Sequence, residues 1–209
     1  PFHLLRQQLE AWRLAPVPGL PPFQGGAAGV FSYDLLHALE RVPPHRHDDQ
    51  GFPDLQLGFY DAVVAWDQAA GRSWVLSSGY PERTDRARLI RAEERAAWLA
   101  GLVAEADAEA AACHPLQLVP EWSEAEYVDG ARRVIEYVRA GDIYQANLTF
   151  RLAAAIPEAA DPVGWYLRVR ETQPAPFMAY LGLGDRSILS ASMERFLRVD
   201  GGRVETAPI

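Results

Sequence analysis

The sequence predicts an α+β fold with mostly antiparallel sheets, and three observations predict it. Aromatic and β-branched runs come in neighbouring pairs joined by glycine-containing turns, as hairpins do. Helical stretches separate these pairs without any repeated strand–helix–strand alternation, so no parallel sheet is expected. The 209 residues are 49% hydrophobic and 23% charged, with six Trp, eight Tyr and eight Phe, a globular composition able to bury a sizeable core.

Taken in order, Leu4, Leu5, Leu9 and Trp12 recur at near-helical spacing and predict a short helix over 4–14. Pro16, Pro18, Pro21 and Pro22 then forbid regular structure, because each lacks an amide hydrogen and fixes its own φ. Gly25 and Gly26 turn the chain into a strand at 28–33, and Asp34 is placed to cap a helical run at 35–40. Residues 42–54 read as a polar loop. A hairpin follows: 57–66 goes out, 67–72 turns at Gly71, and 73–78 returns. Thr84 opens a long helix to about 109, with Leu89, Ala92, Ala96, Leu99 and Val103 inward and Glu93, Glu94 and Arg95 outward.

Ser123-Glu124-Ala125-Glu126 is a capping box. Its helix puts Tyr127, Ala131, Val134, Ile135 and Val138 on one face and ends at Gly141. Alternation predicts a strand over 144–152, Asp161-Pro162 starts another helix, and Pro174 and Pro176 stop it. Two hairpins close the chain, 177–183 with 188–192, then 196–199 with 203–206 around Asp200-Gly201-Gly202. The last hairpin is expected to be cut mid-element.

Charge narrows the function. With 28 acidic and 20 basic side chains the net charge is −8, which argues against nucleic acid or an anionic membrane as partner. No apolar run approaches the roughly 20 residues of a membrane span. The single cysteine, Cys113, excludes an intrachain disulfide framework and fits a reducing compartment. A cytoplasmic protein seen in part is the expectation.

Several apparent motifs resolve into ordinary structure. His45, His47, Asp48 and Asp49 have metal-binding chemistry, but an arginine sits among them and no further ligand cluster accompanies them, so a solvated loop is preferred. Gly25-Gly26-Ala27-Ala28-Gly29 matches neither phosphate-loop fingerprint and reads as a turn with close backbone packing. Cys113-His114 lacks anything to fix its geometry and is read as structural.

Two segments remain unusual. In the predicted strand Gln145, Asn147 and Thr149 share a face, a polar row suited to a ligand or to neighbouring loops. If 190–196 is likewise continuous, Ser190, Ser192, Glu194 and Phe196 share a face that ends in a carboxylate. The plainer alternative there is a Glu194–Arg195 pair at a strand edge. Spacing alone leaves both open.

These segments resemble the chorismate-utilising enzymes, in particular the aminodeoxychorismate synthase component I (para-aminobenzoate synthase) branch. The resemblance rests on Pro22-Phe23-Gln24-Gly25-Gly26 with Tyr33-Asp34, on Gly141-Asp142-Ile143-Tyr144-Gln145-Ala146-Asn147-Leu148, and on Pro174-Ala175-Pro176-Phe177. It continues through Ser190-Ala191-Ser192-Met193-Glu194-Arg195-Phe196-Leu197 and Glu205-Thr206-Ala207-Pro208-Ile209. Asn147 favours that branch over anthranilate synthase component I, where an aliphatic residue is usual.

The resemblance implies a two-sheet sandwich with helices outside, in a chain about twice as long. On it, 1–209 is a partial single unit, with 1–110 the family's N-terminal region and 120–209 the start of its chorismate-binding region. It implies amination of chorismate to 4-amino-4-deoxychorismate with ammonia from a glutamine amidotransferase subunit, in folate biosynthesis. It also implies Mg²⁺ on the substrate carboxylate, with ligands outside this chain, so these residues alone are expected to be inactive.

Glu194 matches the family's catalytic acid/base. Pro176, Phe177 and Met178 match one wall of a tryptophan pocket, with ordinary core packing as the competing account. Gln145, Asn147 and Ser192 are the substrate-proximal candidates. Met193 departs from the usual proline and Ala207 from the usual arginine. The residue after Ile209 is lysine in aminodeoxychorismate synthases and alanine in anthranilate synthases. Anthranilate synthase, or a non-catalytic module that binds an aromatic effector or docks a glutaminase, are the alternatives.

Overall fold

A computed structural model of the chain describes residues 1–43, 48–106 and 115–209. It divides into two compact units, Pro1–Ala108 and Glu109–Ile209. Helices and two-stranded antiparallel sheets alternate in both, so the fold is α+β as the sequence predicts.

In the first unit, α1 (Phe2–Ala11) precedes the proline-rich stretch and β1 (Gly26–Phe31) follows it. Gln24 closes the stretch on itself, accepting from the Val17 N–H and donating to the Val17 carbonyl, each at 2.9 Å. β1 pairs with β2 (Leu55–Tyr60), and Gly29 is required there. A Cβ at Gly29 would lie 2.1 Å from the Gln56 carbonyl oxygen. Between these strands Tyr33–Ala38 forms a 3₁₀ helix that buries Leu35. Its cap is Ser32 and not Asp34, the Ser32 hydroxyl accepting from the Asp34 N–H at 2.9 Å.

The predicted strand 57–66 is two strands. Asp61 separates β2 from β3 (Ala62–Asp67), and β3 pairs with β4 (Arg72–Ser77) around the Gly71 turn. The interruption has a purpose visible in α2 (Asp85–Glu105), which lies against β3 and β4. Arg91 reaches Asp61 at 3.1 Å and Arg95 at 3.2 Å, while the Asp61 side chain is only 13% exposed. The inward face of α2 therefore differs from the apolar pattern: Leu89 is 62% exposed, and Arg95 turns inward. A carboxylate between two guanidiniums offsets its desolvation, whereas an apolar count cannot foresee the pair.

In the second unit, α3 (Glu124–Ala140) has the complete capping box at Ser123 and Glu126 and ends at Gly141 with φ +83°. The predicted strand over 144–152 does not form; only Leu152–Ala153 (β6) pairs, with Val119–Pro120 (β5). The alternation is real but serves a helix. Phe150 stacks 6.4 Å from Trp122 and meets Tyr127 edge-on at 5.5 Å, and Leu148 packs against Gly130. Extended chain without a neighbouring strand lies over α3 instead.

α4 (Pro162–Thr172) is capped by Asp161, whose carboxylate accepts from the Val163 and Gly164 N–H groups at 3.0 Å each. It lies against the hairpin of β7 (Phe177–Gly182) and β8 (Ser187–Ser192), with Tyr166 5.9 Å from Tyr180. The last hairpin, β9 (Arg195–Asp200) with β10 (Arg203–Ala207), turns at Gly201-Gly202.

Candidate functional site

The strand expected across 190–196 is broken at Met193 and Glu194. β8 ends at Ser192 and β9 begins at Arg195, so Ser190, Ser192, Glu194 and Phe196 do not form one continuous row. The break is made locally by Ser192. Its hydroxyl donates to the Glu194 carbonyl at 3.0 Å and accepts the Glu194 N–H at 3.2 Å, replacing ladder partners with a side-chain turn. Glu194 is exposed on this bend. Among the described residues its carboxylate forms no ion pair.

The Glu194–Arg195 pair does not form either; Arg195 pairs with Glu205. The reason is a β-bulge. Glu205 stands opposite Arg198 while Ala207 stands opposite Arg195, so Phe196 and Leu197 together face the single residue Thr206. The extra residue puts Arg195 and Arg198 on one face of the ribbon, where Glu205 is in reach of Arg195. The Arg195 guanidinium also lies over the Phe177 ring, 4.9 Å from its centre, and the Arg195 carbonyl accepts the Thr206 hydroxyl at 3.2 Å.

Of the predicted residues, the structure thus brings together Ser192, Glu194 and Phe177, the last directly opposite Ser192 in the β7–β8 register. Met178 pairs with Ala191 and is half-buried, whereas Pro176 is exposed in the turn before β7. Gln145 and Asn147 are exposed on the segment that crosses α3. No hydrogen bond ties them to Glu194 among the described residues. Sequence reasoning missed the role of Arg195 and Glu205. Their opposite charges were visible, but only the bulge makes them neighbours.

No group of three or more His, Cys, Asp and Glu side chains among the described residues could hold a metal ion. His45, His47, Cys113 and His114 lie outside the described residues. The first unit holds an open cavity of about 320 Å³ lined by Trp12, Gln24, Gly25, Ser78 and Tyr80, among others. None of the predicted site residues borders it. Among the described residues no helix is long and apolar enough to cross a membrane.

Short antiparallel sheets with helices laid on them define an α+β protein, in which Glu194 stands on a braced bend between two hairpins. Over residues 2–209 the chain matches the family described as chorismate binding enzyme, and it belongs to that family. It is similar to anthranilate synthase component 1 of Thermus thermophilus, 37% identical over 192 residues, covering 92% of this chain and 40% of that protein. It is also similar to aminodeoxychorismate synthase component 1 of Salmonella typhimurium, 33% identical over 214 residues, covering 100% of this chain and 43% of that protein. The crystal structure of anthranilate synthase component I from Streptococcus pneumoniae TIGR4 superposes with a TM-score of 0.82 at 24% identity, over 96% of this chain and 46% of that one. That likeness bears on the fold alone. The chain spans about two fifths of the length of these curated relatives.

Proposed function

We propose that the chain is part of component I of an aminodeoxychorismate synthase, aminating chorismate at C4 with ammonia supplied by a glutamine amidotransferase subunit. The observation that carries this reading is membership of the chorismate-binding family over residues 2–209, taken with Asn147 in the Gly141–Leu148 segment. Relatives named aminodeoxychorismate synthase component 1 at 31–33% identity over the whole chain support it. The 37% identity to an anthranilate synthase supports the second reading, amination at C2.

On either reading the Glu194 carboxyl is the group that protonates the departing hydroxyl. A positioned carboxylic acid within hydrogen-bond reach of a leaving oxygen contributes about 10²- to 10⁴-fold. Ser192 holds the bend that carries it, and Gln145 and Asn147 offer amides to the polar groups of the substrate. Pro176, Phe177 and Met178 form one wall of a tryptophan-like effector pocket. Mg²⁺ would neutralise a substrate carboxylate when bound; the described residues hold no cluster of ligands fit for it.

The test is product analysis with the full-length protein, chorismate, Mg²⁺ and ammonium. Amine at C4 supports the first reading, amine at C2 the second, and no amination of any kind refutes both. Glu194→Gln is expected to lower kcat by about 10²- to 10⁴-fold, leaving a measurable residual rate. Residues 1–209 alone are expected to turn over no chorismate.

A further inference from the structure

We propose that Arg195 and Glu205 are positioning residues that hold Glu194 on its bend without engaging its carboxylate. The inference rests on the reading of Glu194 as the acid/base. A carboxyl that must give up and regain a proton has two conflicting needs: a fixed direction and a free oxygen. A direct ion pair would fix it but would also hold it ionised. The bend meets both needs by bracing the backbone on either side.

On the entry side, the Ser192 hydroxyl bonds to both the N–H and the carbonyl of Glu194. On the exit side, Arg195 is held three times: by the Thr206 hydroxyl at its carbonyl, by Glu205 at its guanidinium, and by the Phe177 ring beneath that guanidinium. Phe177 in turn sits opposite Ser192 across β7 and β8. The contacts therefore close a ring from Phe177 through Ser192, Glu194 and Arg195 back to Phe177. Arg195 is 31% exposed and Glu205 42%, so the pair by itself adds little stability. Its effect is geometric. With the guanidinium engaged by Glu205 and Phe177, the strongest nearby cation is kept off Glu194.

The arrangement also separates Arg from Lys at position 195. Only a planar guanidinium can lie on the ring and pair with a carboxylate at its edge; an ammonium keeps the charge and loses the stacking.

The experiment uses the full-length protein with chorismate, Mg²⁺ and ammonium, measuring kcat and KM together with thermal melting. Arg195→Ala is expected to lower kcat by about tenfold to a hundredfold, the scale of a misplaced catalytic group, with KM within about twofold. Arg195→Lys should recover part of the loss, and Glu205→Gln should fall between the parent and Arg195→Ala. Because Arg195 acts through Glu194, the double variant Glu194→Gln/Arg195→Ala should be no slower than Glu194→Gln alone.

An unchanged kcat in Arg195→Ala overturns the proposal, as does additive loss in the double variant, or a loss that tracks the melted fraction. If Glu194→Gln keeps full activity, the acid/base reading fails and the clamp fails with it. If Glu194→Gln is strongly slowed and Arg195→Ala is normal, only the clamp fails.

Discussion

Two cross-strand valine pairs, chemically identical, occupy opposite situations in this protein. Val64 faces Val75 across β3 and β4, and both are half-buried in the hairpin against which α2 packs. Val199 faces Val204 across β9 and β10, and these side chains are 68% and 62% exposed. Both hairpins have regular registers near their turns, and both turns use a glycine with positive φ. What differs is the cover. The first hairpin is locked to a helix by Asp61, Arg91 and Arg95; the second carries no comparable helix among the described residues. Local strand and turn chemistry makes a hairpin, but it does not decide whether the hairpin becomes core.

The sharpest way to break the contrast is to lift α2 from its hairpin. Gly79→Ala should do so most strongly, because the residue has φ +69° and a Cβ would lie 2.0 Å from the Arg88 carbonyl oxygen. Left-handed strain plus overpacking predicts a loss of about 3 kcal/mol in urea unfolding. Asp61→Ala strands two part-exposed guanidiniums that it now holds. Discounted for that exposure, a loss of about 2 kcal/mol is expected by the same measurement. Asp61→Asn should recover part of it.

The comparison itself is sharpened by making one substitution in each pair. Val75→Ala is expected to cost about 1–2 kcal/mol at its half-buried position. Val204→Ala should stay within about 0.5 kcal/mol of the parent chain, as open surface positions do. Equal losses at the two sites would show that cover is not what separates them.

The smallest expected effect is a pH dependence in α3. The Glu126 carboxyl is held below its usual range by the Ser123 backbone N–H and then by the Ser123 hydroxyl. A folded pKa below the unfolded one, near 4.3, means that this contribution is present above that pH and lost as pH falls through the folded value. Glu126→Gln should therefore lower stability slightly near neutral pH and leave it almost unchanged in acid, flattening the acid limb of thermal unfolding followed by circular dichroism.

What the sequence disclosed follows the same division. Caps, turns and periodicity at Thr84, Ser123, Asp161, Gly141 and Gly71 were legible because each is set by a few neighbouring residues. Failures came where distant residues decide. Residues 144–151 alternate as a strand does, yet Leu148 and Phe150 face a helix rather than a paired neighbour. The inward turn of Arg95 depends on Asp61, 34 positions away. At the candidate site Glu194 stood out by resemblance, whereas Arg195 and Glu205 became meaningful only through a bulge that no residue pattern announces.

That bulge gives chain length a chemical meaning. Between Arg195 and Arg198 the ribbon counts three steps against two on the opposite strand. Adding one residue on the opposite strand, between Glu205 and Ala207, would restore equal counts and swing the Arg195 side chain to the reverse of the ribbon. Every functional group named above would still be present in the polypeptide. Yet the guanidinium and the Glu205 carboxylate would look away from each other, so a single codon insertion would undo by arithmetic what no change of side chain had touched.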